Sequence, residues 1–282
     1  MMVLGPTASG KTKLAVQLAY EQNGCVLSAD SRQVYKHLDI GTGKDLEEYI
    51  IYDKQIPYKL IDIAELGTQY NLSNYINDFK DAWKQCTDAK QLPIICGGTG
   101  LYLGAILKGH SYAHVPVNEI FRKELESYSR DKLINYYNKF PQTDYHQIAD
   151  LSTQRRLIRA IEIVKYLQIN ILPETSFPQV KPYIIGLGQT LELRREKIKM
   201  RLQNRLDSGL VDEVKTLLQQ GLQQEYLIKL GLEYKYITLY ISGQLKYEEM
   251  QEQLYNHICQ FAKRQMTWFR KMEREGYDIH WL

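Results

Sequence analysis

Eight residues near the start of the chain have the types and spacing of a phosphate-binding P-loop, G-x-x-x-x-G-K-T. They are Gly5, Pro6, Thr7, Ala8, Ser9, Gly10, Lys11 and Thr12. In such a loop the backbone N–H groups converge on an anion, and the lysine adds a full positive charge. The threonine hydroxyl can bind a metal ion that bridges the phosphates. The pattern therefore predicts a site for a phosphorylated compound and leaves open which compound binds.

Asp30 and Thr99 are two further polar residues that follow apolar, strand-like segments. Because the carboxyl ends of parallel strands face the ligand crevice of an open α/β sheet, we expect both side chains near the P-loop. Asp30 could act as a general base, or Asp30 or Ser31 could cap a short helix. Thr99 could face the crevice, or it could lie in a plain turn or cap the helix that follows.

The elements that must position these residues alternate between strand and helix up to residue 109 and again from residue 183. Predicted strands are Met1–Leu4, Cys25–Ala29, Tyr58–Ile63, Leu92–Cys96 and Tyr183–Leu187. Predicted helices begin near Lys13, Leu72, Leu101, Leu191, Gly209 and Tyr247. Between them, residues 110–182 carry helix signals only, and Pro173, Pro178 and Pro182 mark the exit from this region. We therefore expect an α/β core of residues 1–109 and 183–282 with an all-helical insertion at 110–182.

Composition restricts the class of protein. The 282 residues are 44% hydrophobic and 24% charged, as is usual for a soluble globular protein. No apolar run is long enough for a membrane span, and the P-loop begins too early to leave room for a signal peptide. The four cysteines form no zinc or CxxC pattern, which favours reduced thiols. We expect a cytoplasmic monomer without a membrane partner.

Positive charge is concentrated in three helical stretches although the net charge is only +3. The last stretch, from Lys263 to Arg274, has five basic residues against Glu273 and also contains Trp268. A solvated helix face is the usual explanation of such a run. Recurrence of the pattern and the aromatic residues within it favour a nucleic-acid surface.

Three functions remain open from these residues. A P-loop kinase would need a strand-end acid to hold Mg²⁺, and Leu92–Cys96 runs into glycines instead. A non-catalytic RNA binder would not need the intact set of Lys11, Thr12, Asp30 and Thr99. The third function is transfer of another group, with diphosphate as the leaving group.

Six motifs in order along the chain resemble those of tRNA dimethylallyltransferases. They are Gly5–Thr12, Asp30–Tyr35, Asp39–Thr42, Gly97–Tyr102, Arg156–Glu162 and Ala262–Trp268. The resemblance implies a P-loop NTPase-like core with a parallel sheet flanked by helices. It also implies transfer, with Mg²⁺, from dimethylallyl diphosphate to N6 of the adenosine 3′ of the tRNA anticodon. The related alternative is an adenylate isopentenyltransferase, which uses a free nucleotide.

The resemblance also implies residue roles. Asp30 would be the general base, Thr99 would position the base or the diphosphate, and Lys11 with Arg201 would stabilise the leaving group. The residues implied to contact the anticodon stem-loop are Asp30, Ser31, Arg32, Gln33, Thr99, Arg122, Gln154, Arg155, Arg156, Leu157, Ile158, Lys263 and Arg264.

The chain departs from the family pattern at four places. Tyr58-Lys59 stand where a histidine pair is usual, and Ser152-Thr153 stand where Asn-Asp is usual. Leu232 replaces a tyrosine, and Gly41–Asp45 replaces a Gly-Thr-Ala-Lys-Pro run. None of these touches the P-loop, so the departures bear on tRNA contacts and substrate choice.

Overall fold

The computed structural model describes residues 1–109, 111–172 and 180–282. The chain divides into two compact units, which are treated separately below. One is formed by Met1–Lys108 together with Gln179–Leu282, and the other by Gly109–Pro178. The expected exit at Pro173 and Pro178 lies outside the described residues. Division of the chain into domains at 110 and 182 stays a prediction.

A six-stranded sheet with order β5-β2-β6-β1-β7-β8 lies in the first unit, and all of its pairings are parallel. The strands of the described residues are β1 Met2–Leu4, β2 Gly24–Ala29, β3 Ile50–Ile51, β4 Lys54–Gln55, β5 Tyr58–Lys59, β6 Leu92–Gly97, β7 Ile184–Gly186 and β8 Ile279–Trp281. Gly97 pairs with Leu4 on one side and with Ala29 on the other. The ends of β1, β2 and β6 therefore lie at one edge, and the predicted parallel α/β core is confirmed.

Two features of the sheet differ from the sequence-based expectation. The strand expected at Tyr58–Ile63 ends at Lys59, because Leu60 and Asp62 adopt left-handed backbone conformations with φ of 68° and 57°. Such conformations cannot continue a strand. The edge strand β8 was not predicted, and its three residues are too few to give a periodic signal.

Helices cover the sheet and form the rest of both units. Their bounds in the described residues are α1 Lys11–Glu21, α2 Leu72–Asp88, α3 Gly100–Lys108, α4 Glu119–Glu126, α5 Arg130–Tyr137, α6 Asp144–Ile148, α7 Gln154–Leu167, α8 Leu191–Asp207, α9 Leu210–Gln219, α10 Gln224–Leu230, α11 Leu232–Ile241 and α12 Tyr247–Arg274. Side chains of Asn71 and Thr190 cap α2 and α8, as their types favour. Among the described residues, no helix combines the length and the apolarity needed to cross a membrane.

The helical second unit has its own buried core, which includes Leu125, Leu133 and Ile161. Glu162 lies beside this core and is only 4% exposed. Its carboxylate accepts hydrogen bonds from the backbone N–H of Asn118 at 2.6 Å and from the Arg122 Nη2 at 2.8 Å. Arg159 also donates to it. Burial alone would raise the pKa of Glu162, but these donors outweigh burial and the pKa is lowered.

We expect Glu162→Gln to lower the free energy of unfolding by about 3 kcal/mol, because two half-buried guanidinium groups lose their anionic partner. The wild-type contribution is present above the ordinary carboxyl pKa and is lost as pH falls through the lowered pKa. Urea unfolding at neutral and acid pH measures both effects. Glu126→Gln on α4 is the control, since Glu126 is exposed. An equal loss in both variants would contradict a specific role for Glu162.

Candidate active site

The loop Gly5–Thr12 connects β1 to α1 at the carboxyl edge of the sheet. Helix α1 begins at Lys11, so Lys11 and Thr12 occupy its first turn. Ser9 is buried, and its carbonyl oxygen accepts a hydrogen bond from Gln189 Nε2 at 3.4 Å. The Thr12 side chain lies close to the Cys96 thiol on β6. This strand–loop–helix arrangement directs the start of a helix toward the crevice, where an anion is favoured.

Lys11 lies in a cationic environment at this loop. Burial lowers the pKa of its ammonium group, and the positive charges of Arg201 and Arg205 lower it further. Cys96 and Asp30 act in the opposite direction. Three cationic side chains that disfavour one another's charge form a site that an anion would stabilise.

The structure brings Asp30 and Thr99 together. Thr99 Oγ1 accepts a hydrogen bond from the backbone N–H of Ser31 at 3.1 Å, and Thr99 N donates to Ala29 O at 3.2 Å. The Thr99 hydroxyl therefore joins the ends of β6 and β2. This geometry supports the expectation that both side chains lie at one crevice.

No helix begins at Asp30 or Ser31, so that part of the sequence prediction is wrong. Asp30 Oδ1 instead accepts hydrogen bonds from the backbone N–H groups of Arg32 at 2.8 Å and Gln33 at 3.4 Å, which closes a turn. Within the described residues, Asp30 Oδ2 accepts no hydrogen bond and remains available to a substrate proton. One carboxylate thus has both a structural oxygen and a free oxygen.

Gln33 connects this turn to the segment that carries Gly43. Its Nε2 donates to Gly43 O at 2.9 Å, and its Oε1 accepts from Ser28 Oγ at 3.0 Å. The neighbouring segment is fixed by Glu213 on α9, whose carboxylate accepts three backbone N–H groups. These belong to Asp39, Ile40 and Gly41. The segment is therefore rigidly placed beside the Asp30 turn.

Arg201 and Arg205 on α8 flank Gly43. A Cβ atom at Gly43 would lie 1.6 Å from Arg205 Nη2 and 2.4 Å from Arg201 Nη2, so a larger residue there would displace these two guanidinium groups. Arg201 Nη2 forms an ion pair with Asp45 Oδ2 at 2.6 Å. The structure thus places the sequence-predicted Arg201 at the crevice and adds Arg205 to it.

Gln265 on α12 is a site residue that the sequence analysis missed. Its Oε1 accepts from the backbone N–H of Thr7 at 2.9 Å, and its Nε2 donates to Gly98 O at 3.0 Å. Its side chain is buried, and Gly98 must lack a Cβ because that atom would lie 2.3 Å from Gln265 Nε2. The side-chain amide of Gln265 therefore links the Gly5–Thr12 loop to the end of β6. The signal for it was a polar residue at helical spacing between the apolar residues Ala262 and Phe269.

We expect Gln265→Glu to remove the donor to Gly98 O and to bring a buried carboxylate against that carbonyl oxygen. The free energy of unfolding should fall by about 1–3 kcal/mol. The KM for the phosphorylated substrate should rise, because the bond to Gly98 O that ties the loop to the end of β6 is lost. Urea unfolding and steady-state kinetics measure these changes, with the exposed Gln260→Glu on the same helix as control. Unchanged kinetics in a stably folded Gln265→Glu would contradict the positioning role.

The tRNA-contact residues expected in the first unit are mostly at its surface. Arg32, Lys263 and Arg264 are exposed, whereas Ser31 and Gln33 are half-buried in the turn. Trp268 packs on α3, because a Cβ at Gly100 would lie 2.5 Å from its Cγ. Trp268 is thus a packing residue of this unit.

Arg155 and Gln154 of the second unit are exposed, and Gln154 Nε2 donates to Tyr128 O at 3.3 Å. Arg156 is exposed and paired with Asp150 at 2.8 Å. Arg122 is held by Glu162, as described above. These residues lie in a different unit from Asp30, and their RNA contacts stay predictions.

Leu157 and Ile158 require a correction. They are 0% and 4% exposed and belong to the core of the helical unit. The apolar face of an amphipathic helix packs against the core, and both side chains lie on that face of α7. Direct side-chain contact with RNA is therefore excluded for this pair as the unit is folded here.

The residues around Thr12 offer few ligands for a metal ion. In the part of the chain that the structure describes, no group of three or more His, Cys, Asp or Glu side chains could hold one. The Thr12 hydroxyl is an oxygen donor of the kind that Mg²⁺ accepts, and Mg²⁺ bound with phosphates commonly keeps several waters. The donor set fits an ion held largely by a substrate's phosphate oxygens.

Comparison with known proteins decides the family. The model of the family described as IPP transferase matches residues 33–272, and that of isopentenyl transferase matches residues 1–56. The chain belongs to the IPP transferase family. A relative from Phocaeicola vulgatus, named tRNA dimethylallyltransferase 2, is 50% identical over 99% of this chain and 91% of its own length.

Solved structures agree with the family. The tRNA isopentenylpyrophosphate transferase of Bacillus halodurans is 31% identical, with a TM-score of 0.69 over 100% of this chain and 88% of that one. A eukaryotic dimethylallyltransferase described as acting on tRNA is 21% identical, with a TM-score of 0.78 over 100% and 72%. At that identity the second likeness shows the fold alone.

Proposed function

We propose that the protein is a tRNA dimethylallyltransferase. It transfers the dimethylallyl group of dimethylallyl diphosphate to N6 of the adenosine 3′ of the anticodon, and it releases diphosphate. The observation that carries this proposal is that one crevice holds both a carboxylate and a group of cations. Asp30 has a free carboxylate oxygen, and Lys11 and Arg201 supply positive charge on the same side of the sheet edge.

Departure of the diphosphate places the largest demand on the site. The bond between C1 of the allyl group and the bridging oxygen breaks, and its electron pair leaves with diphosphate. Negative charge therefore grows on the departing oxygens. The N–H groups of the Gly5–Thr12 loop, Lys11 and Arg201 stabilise that charge in a partly buried site, where electrostatic interactions are strong.

Attack by the adenosine completes the exchange of bonds. N6 forms a bond to C1 and must lose one proton, which Asp30 Oδ2 accepts as general base. Thr99 holds Asp30 indirectly, because its hydroxyl accepts the N–H of Ser31 next to the carboxylate. The base must leave its stack to reach this crevice, and base flipping meets that need.

Mg²⁺ belongs to the proposal as a partner of the diphosphate, with Thr12 as its protein ligand. Bound there, the ion neutralises charge on the leaving group. Lys11 and the loop amides hold the remaining diphosphate oxygens.

The proposal also retains a cytoplasmic monomer, and light scattering with size-exclusion chromatography measures the monomer directly.

tRNA would reach the crevice through exposed basic side chains. Arg32 stands beside Asp30 in the turn, and Lys263 and Arg264 are exposed on α12. The proposed contacts of the helical unit are Arg122, Gln154, Arg155 and Arg156. Binding through phosphates should weaken linearly in a plot of log affinity against log salt.

Transfer of label tests the function directly. The protein is incubated with allyl-labelled dimethylallyl diphosphate and either tRNA or AMP, with Mg²⁺. Label in tRNA, at N6 of the adenosine 3′ of the anticodon, is the expected result. Label in AMP alone would establish the adenylate isopentenyltransferase instead. Label in neither acceptor would contradict transferase activity.

A further inference from the structure

Arg205 is a largely buried cation that the proposed reaction has not yet used. It lies one helical turn from Arg201 on α8, and its side chain is 13% exposed. Its hydrogen bond to Gly41 O is long, at 3.3 Å, and its closest carboxylate oxygen, on Glu233, is 3.5 Å away. Its buried Nε has no hydrogen-bond partner within the described residues. A buried guanidinium group with five donors is rarely left so poorly bound.

Glu233, the counter-ion of Arg205, also stabilises its positive charge only weakly. Burial raises the pKa of Glu233, against the opposing effect of Arg205, so the carboxyl group holds its negative charge less readily than usual. Burial also lowers the pKa of Arg205, and the charge of Arg201 lowers it further. An additional anion beside Arg205 would relieve both effects.

The position of Arg205 shows which anion this would be. Its Nη2 flanks Gly43 together with that of Arg201, and Gly43 is hydrogen-bonded to Gln33 in the Asp30 turn. The positive charge of Arg205 also acts on Lys11 in the loop. Arg205 therefore belongs to the same group of positive charges as Lys11 and Arg201.

We propose that Arg205 is a second guanidinium group that binds the departing diphosphate, beside Arg201. This inference rests on the proposed function, and it adds a residue that contacts the leaving group. Arg201 has Asp45 as a close partner at 2.6 Å. Among the described residues, the partners of Arg205 lie no closer than 3.3 Å, so more of its N–H groups are available to an anion. Two guanidinium groups and one lysine match the several oxygens of a diphosphate.

Binding of inorganic pyrophosphate with Mg²⁺ tests Arg205 without turnover. Isothermal titration of Arg205→Met should give a Kd about 10- to 100-fold above wild type, since a charge-assisted hydrogen bond is lost. Arg205→Lys keeps the charge but loses the forked donors, and a smaller increase is expected. Arg195→Met, exposed on the same helix, should bind pyrophosphate as wild type does.

A double variant separates binding from stability. Arg205→Met takes from Glu233, which is 19% exposed, its ion-pair partner, whereas Arg205→Met with Glu233→Gln also removes that carboxylate. We expect the double variant to recover thermal stability while its pyrophosphate affinity stays low. In transfer assays, the KM for dimethylallyl diphosphate should rise and the KM for tRNA should stay near wild type. Recovery of both stability and pyrophosphate affinity would show a structural role and overturn the inference.

Failure of the two proposals gives different results. If wild-type protein modifies tRNA and all Arg205 variants bind pyrophosphate normally, the Arg205 inference is wrong and the function stands. If wild-type protein modifies no tRNA but loses pyrophosphate binding on Arg205→Met, the function is wrong and Arg205 is still an anion ligand. Wild-type protein that binds no pyrophosphate would overturn the Arg205 inference.

Discussion

Asp30→Asn is expected to lower kcat for transfer to tRNA by about 10²- to 10⁴-fold, the usual range for loss of a general base. The amide keeps an acceptor oxygen for the N–H groups of Arg32 and Gln33, so the turn should persist. Only the free oxygen loses its basicity. The affinity for inorganic pyrophosphate should change little, because the amide removes no cation from the diphosphate site. Single-turnover transfer to tRNA and pyrophosphate titration measure the two quantities.

The exposed Asp81→Asn on α2 is the matched control for this substitution, and near wild-type kinetics are expected for it. Thermal unfolding of both variants checks that the fold is kept. Transfer by Asp30→Asn at close to the wild-type rate would show that another group accepts the N6 proton. Loss of pyrophosphate affinity alone would place Asp30 with the diphosphate site instead.

The part of this site that the sequence predicted was encoded locally. The Gly5–Thr12 pattern predicts a strand–loop–helix unit from a few adjacent residues, and the structure has β1 before it and α1 at its end. Asp30 and Thr99 are far apart in the chain, but each directly follows a strand. The rule that parallel strands end at one edge was therefore enough to bring them together.

The part that the sequence did not predict depends on side-chain contacts between distant segments. Gln265 bonds to Thr7 across 258 positions, and Arg205 bonds to Gly41 across 164. Glutamine and arginine in a helix usually face solvent, so neither residue type signals burial. Periodicity places Gln265 on a buried stripe, but only the folded structure shows which backbone groups it meets.

The segment Gly41–Asp45 is held by contacts of the same kind. Lys44 is 2% exposed, and its ammonium group is paired with Asp39 at 2.6 Å and also with Asp62. Removing one partner of such a buried charge costs several kcal/mol. Lys44 therefore fixes the segment between Leu38 and Gly43, next to the Asp30 turn. Lys44 is common to this chain and the family run, so the departures are Gly43 and Asp45. Asp45 pairs with Arg201, and Gly43 lies against the guanidinium groups of Arg201 and Arg205.

Lys11→Met is expected to lower kcat for transfer by about 10²- to 10³-fold, as is usual when one donor to a developing anion is removed. Pyrophosphate affinity should fall as well, because Lys11 contributes a charge at the start of α1. Lys13→Met is a close control, since Lys13 is exposed in the same turn of α1. Transfer kinetics and titration with pyrophosphate and Mg²⁺ compare the two variants. Equal losses in both would contradict a specific role for Lys11.

The pH dependence of binding distinguishes the charge of Lys11 from its packing. A neutral lysine binds an anion less well, so affinity should fall as pH rises through the lysine pKa. Because burial lowers the pKa of Lys11, this fall should begin below the ordinary value of 10.5. Lys13→Met should keep the same profile, and Lys11→Met should lose this component while any titration of pyrophosphate itself persists in both. A profile that is identical in Lys11→Met and wild type would show that Lys11 is not a charged ligand of the diphosphate.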